Sequence, residues 1–249
     1  MSFLGQVVHW FLNPAHWQGD AGIPHRTVEH LLMSGISVLV AALIALPVGI
    51  AIGHFGKGGN LAINISNIGR AIPSFALLVL AAQLFGIAAA SQVVGFGAVP
   101  AFVALVALAI PPMVTNSYVG MREVDPDVRE AAHGMGMRER AVLLRVELPI
   151  AVPFIMAGIR TSAVNVVATA TLAAVVAWGG LGRFIVDGLG LQDYPMLFAG
   201  AVMVAILSLV VEFALAGIQR LATPAGLRPS KSTQKEESVA ALDTAAVAA

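Results

Sequence analysis

The chain has 249 residues, 58% of them hydrophobic and 11% charged, and its 14 basic and 14 acidic side chains cancel. Apolar runs with so few charges exclude a water-soluble globular domain, and zero net charge gives no support for steering toward nucleic acid. The absence of cysteine excludes a disulfide framework, a thiolate metal site and a thiol nucleophile.

In chain order, residues 1–29 are apolar around Phe3 to Leu12 but are interrupted by His9 and Pro14 and lack a basic leading region. They read as an extracytoplasmic or interfacial segment, not a cleaved signal peptide. Five stretches then reach the roughly 20 residues that a membrane-crossing helix needs. They run from Leu31 to Gly53, Ile72 to Ala90, Ala98 to Val119, Ile150 to Ala177 and Met196 to Leu221. The expectation is an all-α integral membrane protein with five transmembrane helices and a transmembrane domain over residues 30–223. Pro47 and Pro111-Pro112 fall inside spans, where neighbouring helices or a water-filled path must satisfy the freed carbonyls. After Thr223-Pro224 the chain turns polar and Ala-rich, and residues 224–249 read as a disordered cytoplasmic tail. No repeat of fixed period is visible, and an odd number of spans argues against simple two-half symmetry.

Basic residues near span ends are retained on the cytoplasmic side, which orients the chain. With the N-terminus outside and the C-terminus inside, only Arg26 and Arg183 fall outside, and the other twelve basic residues fall inside. Trp10, Trp17 and Trp178 then lie near the outer face, where indoles anchor at the headgroups.

The sequence carries no catalytic pattern. "GHFGKGGN" (Gly53 to Asn60) lacks the spacing of a phosphate-binding loop and follows a span instead of a strand, so it reads as a plain loop. The six histidines are scattered, and no metal site is expected. No paired carboxylates sit in an apolar setting where they could share acid and base roles.

The exception to the apolar pattern is the loop 121–149. Arg122 to Glu147 holds eleven of the 28 charged side chains. Asp125-Pro126 is a helix start, because Asp caps free amides and Pro suits the first helical position. A short helix from Pro126 to Met135 is expected, with Arg129, Glu130 and His133 on one surface. Ala131 and Ala132 would leave room for a close neighbour, and Gly134 and Gly136 would end the helix. A second short amphipathic helix, Arg138 to Val146, is expected to turn Val142, Leu143 and Val146 toward the membrane.

The spacing Glu130-Ala131-Ala132, Gly136, Val146-x-Leu148-Pro149 resembles the EAA loop of binding-protein-dependent ABC transporter permeases, Glu-Ala-Ala-x3-Gly-x9-Ile-x-Leu-Pro, departing only at Val146. The stretches "NIGRAIPSFALLVL" (67–80), "MAGIRTSAV" (156–164) and "WGGLGRFIVDGL" (178–189) are similar to the osmoprotectant branch of that family. That branch imports glycine betaine, choline, carnitine or related quaternary amines. Methionine and other amino-acid importers share parts of these motifs, and Trp178 stands where many relatives have a small residue. The resemblance implies a non-catalytic permease subunit in the bacterial cytoplasmic membrane, paired with a second permease, a copy or a paralogue. It also implies a dimer of ATPase subunits that docks on the loop and uses ATP and Mg, and an extracytoplasmic solute-binding protein. No cofactor would be bound by this chain. The alternatives are an amino-acid importer subunit of the methionine type, or an autonomous channel or secondary carrier.

Polar side chains within the spans are candidates for the translocation path: Gln83, Asn116, Ser117, Tyr118, Asn165, Thr169 and Thr171. Each is costly toward lipid and tolerated toward a cavity or a neighbouring helix, so plain hydrogen bonding between helices is the competing reading. Arg160 and Glu212 lie at matching depth, roughly 14 Å along their helices from the inner face at about 1.5 Å per residue. An intramembrane ion pair is expected, since either charge alone costs roughly 2.5 to 3.5 kcal/mol at a span centre. The competing arrangement has Arg160 reaching the surface and Glu212 facing water.

Overall fold

The computed structural model describes residues 2–85, 98–224 and 226, and every regular element among them is helical. Helix α1 (Phe3–Leu12) is capped by Ser2, whose hydroxyl accepts from the Gly5 amide at 3.3 Å. Helix α2 (Ile23–Phe55) begins earlier than hydropathy alone suggested, with Pro24 in its first turn. It ends where Gly56 adopts φ +67°. The loop expected at Gly53 to Asn60 shrinks to this break, because Gly59 already opens α3 (Gly59–Ala71). Helix α4 (Ser74–Phe85) follows, and then α5 (Ala98–Arg122).

Beyond α5 come α6 (Pro126–Gly134) and the four-residue α7 (Glu139–Val142). A π turn (Leu143–Glu147) feeds α8 (Leu148–Thr169), and a 3-10 segment follows (Ala170–Val176). Helices α9 (Gly182–Gly190) and α10 (Tyr194–Ala222) complete the bundle. The amphipathic helix expected over Arg138 to Val146 is therefore not a separate element, since its second half is the π turn leading into α8. Pro149 supplies the reason. It has no amide to give the carbonyl of Arg145, and its ring crowds that carbonyl, so the preceding turn widens and Leu148 donates to Leu143 instead.

Among the described residues, four helical stretches are long and apolar enough to cross a membrane: Ile23–Phe55, Val99–Arg122, Glu139–Val176 and Tyr194–Ala222. Of the span expected over Ile72 to Ala90, the described part is α4, and residues 86–90 lie outside the described residues. The expected tail, 224–249, lies outside them too, apart from Pro224 and Gly226.

Helix α5 is the centre of the bundle, with α2 and α8 against its sides and α3 and α4 beside it. The core is built of small and flexible side chains, including Ala41, Ala45, Ala109, Met113 and Val166. Close approach explains the choice of residues. A Cβ at Gly49 would fall 2.8 Å from Ser117 Cβ, and one at Gly53 would fall 2.4 Å from Met121 Cβ. This Gly-x-x-x-Gly face lets α2 lie directly on α5, the usual solution where lipid provides no hydrophobic force between helices. On the other side of α5, Ser162 of α8 donates to the Ala109 carbonyl at 2.8 Å.

Candidate coupling surface and polar residues of the spans

The polar segment folds as a capped helix with a closed end. Asp125 Oδ1 accepts from the Asp127 amide at 2.9 Å, and Pro126 occupies the first turn of α6. At the other end the Met137 amide bonds to Ala132 O at 3.2 Å and the Gly136 amide to His133 O at 2.8 Å. This nested pair requires a left-handed residue, and Gly136 supplies it with φ +82°. Gly134 is simply the last helical residue.

The two alanines part company: Ala132 is buried against the chain itself, whereas Ala131 is open. Glu130 and Gly136 are exposed as well, and Met135 stands 76% exposed at the tip. The expected common surface for Arg129, Glu130 and His133 is corrected, because Arg129 turns inward. Its Nε lies 2.9 Å from Glu147 Oε1, and a terminal nitrogen donates to the Met121 carbonyl at the end of α5. Glu147 is 2% exposed, and its other oxygen lies 2.5 Å from His54 Nδ1 in the last turn of α2. Leu148 and Pro149 follow at once and start α8. His133 faces acceptors at both ring nitrogens, Arg129 O at 2.8 Å and Glu139 Oε1 at 3.2 Å. The hydrogen bond to Arg129 O, aided by the Glu139 carboxylate, raises its pKa above the ordinary histidine value.

The candidate path residues do not converge on one cluster. Asn116 donates to Pro112 O at 2.8 Å and Thr171 to Ala168 O at 2.9 Å, so both bond within their own stretch of chain. Ser117 is fully buried beside Gly49, with no partner for its hydroxyl among the described residues. Tyr118 lies over Gly59 at the start of α3. Thr169 borders a narrow recess between α4 and α5. Gln83 and Asn165 are open, and Asn165 shares an exposed stripe of α8 with Phe154, Thr161 and Ala168. That stripe sets two polar groups one helical turn apart in the middle of a span.

Arg160 and Glu212 meet, with Nε to Oε1 at 3.2 Å, and each side chain is about a third exposed (34% and 35%). The arginine also donates to Gln219 Oε1 at 2.9 Å, and Gln219 Nε2 donates to Pro153 O at 2.9 Å. Gln219, His54 and Glu147 escaped the sequence reading. The only available signal for the last was a carboxylate at the variable position of the Val-x-Leu-Pro run, which the spacing pattern leaves free.

Comparison with known proteins sets these features in a family. The sequence profile of the binding-protein-dependent transport system inner membrane component matches residues 45–225. The chain is 39% identical to the choline transport system permease protein OpuBB of Bacillus subtilis (strain 168) over 83% of its own length and 91% of the relative's. It is 37% identical, over the same shares, to the glycine betaine/carnitine/choline transport system permease protein OpuCB of that organism. Among solved structures, an inward-facing form of the MetNI methionine ABC transporter superposes with a TM-score of 0.66 at 26% identity, covering 79% of this chain and 94% of that one. With most of the chain inside the profile and its apolar helices built to cross a bilayer, the protein is a multi-pass membrane protein and belongs to the family of inner membrane components of binding-protein-dependent transport systems.

Proposed function

We propose that this chain is the permease subunit of an ATP-driven importer in the bacterial cytoplasmic membrane, carrying a small osmoprotectant such as glycine betaine, choline or carnitine. The substrate reading is supported by the printed functions of relatives that align over most of both chains. In this reading the chain has five spans, with its N-terminus outside and its C-terminus in the cytoplasm. It pairs with a second permease, the same chain or a paralogue, and receives solute from an extracytoplasmic binding protein. The exposed surface of α6, Glu130, Ala131 and the turn at Gly136, enters a cleft on an ATPase subunit. ATP and Mg are used there and not by this chain.

The geometry of α6 is the observation that carries the mechanism. A capped nine-residue helix with an open alanine and a closed glycine turn projects from the end of the bundle where α2, α5 and α8 converge. Movement of the ATPases would displace α6, and the spans attached to it would switch between outward and inward openings. The exposed stripe through Thr161 and Asn165 is where we place the path, since two polar groups in mid-span are favoured toward water and costly toward lipid. Arg160 and Glu212 act as a pin between α8 and α10 and take no part in the path.

The test is uptake by the reconstituted complex, with binding protein and ATPase present, across glycine betaine, choline, carnitine and methionine. ATP-dependent uptake of a quaternary amine is the expected result. The likeness to a methionine transporter supports a second reading, which uptake of methionine alone would establish in place of the first.

A further inference from the structure

Helix α6 has little apolar packing with which to hold its position, for among its residues only Ala132 is buried. Its firm attachment is ionic. Arg129 reaches Glu147, and Glu147 is nearly sealed from solvent in the π turn at the entrance to α8. The same carboxylate meets His54 from α2, and the same guanidinium meets the Met121 carbonyl from α5. Glu139 of α7 completes the surroundings, with Oε2 3.9 Å from His54 Nε2 and Oε1 on His133. One buried carboxylate thus ties the ends of α2 and α5, the start of α8 and the body of α6 into a single unit.

We propose that Glu147 is a positioning residue for energy coupling: through Arg129 and His54 it locks α6 to three spans, so that displacement of α6 moves α2, α5 and α8 together. The inference rests on the reading of α6 as the ATPase contact. Burial is what gives the lock its stiffness. A charge pair removed from water has no solvent alternative when pulled apart, whereas an exposed pair exchanges its partner for water at little cost. Without the carboxylate, the partner left to Arg129 among the described residues is the Met121 carbonyl, and α6 can shift without carrying the spans.

The experiment measures ATP hydrolysis and solute uptake together in proteoliposomes holding the complete transporter, for wild type, Glu147→Gln, Glu147→Asp and Arg129→Lys. For Glu147→Gln, solute imported per ATP should fall about 5-fold or more while hydrolysis stays within about twofold, a loss of the size usual for coupling between sites. Glu147→Asp, which keeps the charge, should recover much of the ratio. Arg129→Lys, which keeps charge but has no second nitrogen to reach the Met121 carbonyl while facing Glu147, gives the same split and serves where Glu147→Gln does not assemble. Unchanged solute per ATP in an assembled Glu147→Gln complex overturns the inference and leaves the ATPase contact at α6 untouched. Parallel loss of hydrolysis and uptake in both variants marks a merely structural residue and overturns it too. If Gly136→Val also leaves coupling unchanged, it is the assignment of α6 itself that falls.

Discussion

Helices α5 and α10 are alike in sequence and opposite in setting. Both are long, apolar and proline-containing, yet half of the most apolar stretch of α5 is buried in the bundle, against 6% for α10. Helix α5 is held by close contact: Gly49 and Gly53 of α2 press on one side, and Gly158 of α8 meets Pro112 and Asn116 on the other. Helix α10 presents Ile206, Leu209, Val210 and Phe213 outward; close contact is confined to its first half, where Gly200 lies against Phe184 and Ile185 of α9, and polar pins fix the rest. Asp193 caps it through the Met196 amide at 3.1 Å, and Arg160 with Gln219 ties it to α8. The contrast teaches that hydrophobicity does not choose between neighbours in a membrane. Lipid tails are as apolar as leucine, so small residues that admit a partner and polar groups that need one decide where each helix goes.

Added bulk should affect the two helices very differently. Gly53→Leu forces a side chain into Met121 and should cost about 1–3 kcal/mol or more, because overpacking displaces backbone. Gly217→Leu on α10 meets open space and should stay within about 0.5 kcal/mol. Thermal unfolding in detergent compares the two, and equal losses would abolish the distinction.

Next in size is Gly136→Val. A β-branched residue at φ +82° should cost about 1–2 kcal/mol locally. Inserted protein would remain in the membrane while transport separates from ATP hydrolysis, and normal uptake per ATP would count against the coupling role. The pins of α10 come third. A double-mutant cycle of Arg160→Ala and Glu212→Ala should give a coupling of roughly 0.5–1 kcal/mol, modest because a third of each side chain is exposed. Strictly additive losses would leave the pair without energetic content.

The smallest effect concerns His133, a polar contact at the surface whose side chain is 43% exposed. Its folded pKa is raised, chiefly by the hydrogen bond to Arg129 O. Its contribution to the end of α6 is therefore fully present below the ordinary histidine pKa and lost as pH rises through the raised value. Protection factors at the amides of Met135 to Met137, which divide out the intrinsic pH dependence of exchange, should fall across that window, and His133→Gln should remove the fall.

Part of this organisation was legible in the residues. Asp125-Pro126 and the glycines after His133 marked both ends of α6, because capping and left-handed closure are local chemistry. The meeting of Arg160 with Glu212 followed from depth arithmetic, since rise per residue is fixed and the two lie at like distance from the inner face. The π turn did not show, although Pro149 was in view, because widening one turn depends on the register of the helix that continues. The inward turn of Arg129 was hidden for a related reason. Position on a helix gives a direction relative to that helix, and not relative to the bundle.

By itself, then, the sequence determined the solvent, the helical class and the polar segment with its family spacing, all properties of composition and short-range pattern. Tertiary structure alone decided which apolar helix is central and which is peripheral, and that of two neighbouring alanines one is buried and one is presented. It alone also brought His54, Arg129 and Glu147 to one point. These residues lie far apart along the chain, on elements whose mutual rotation is set by packing, and no local rule carries information about a contact that only three converging helices create.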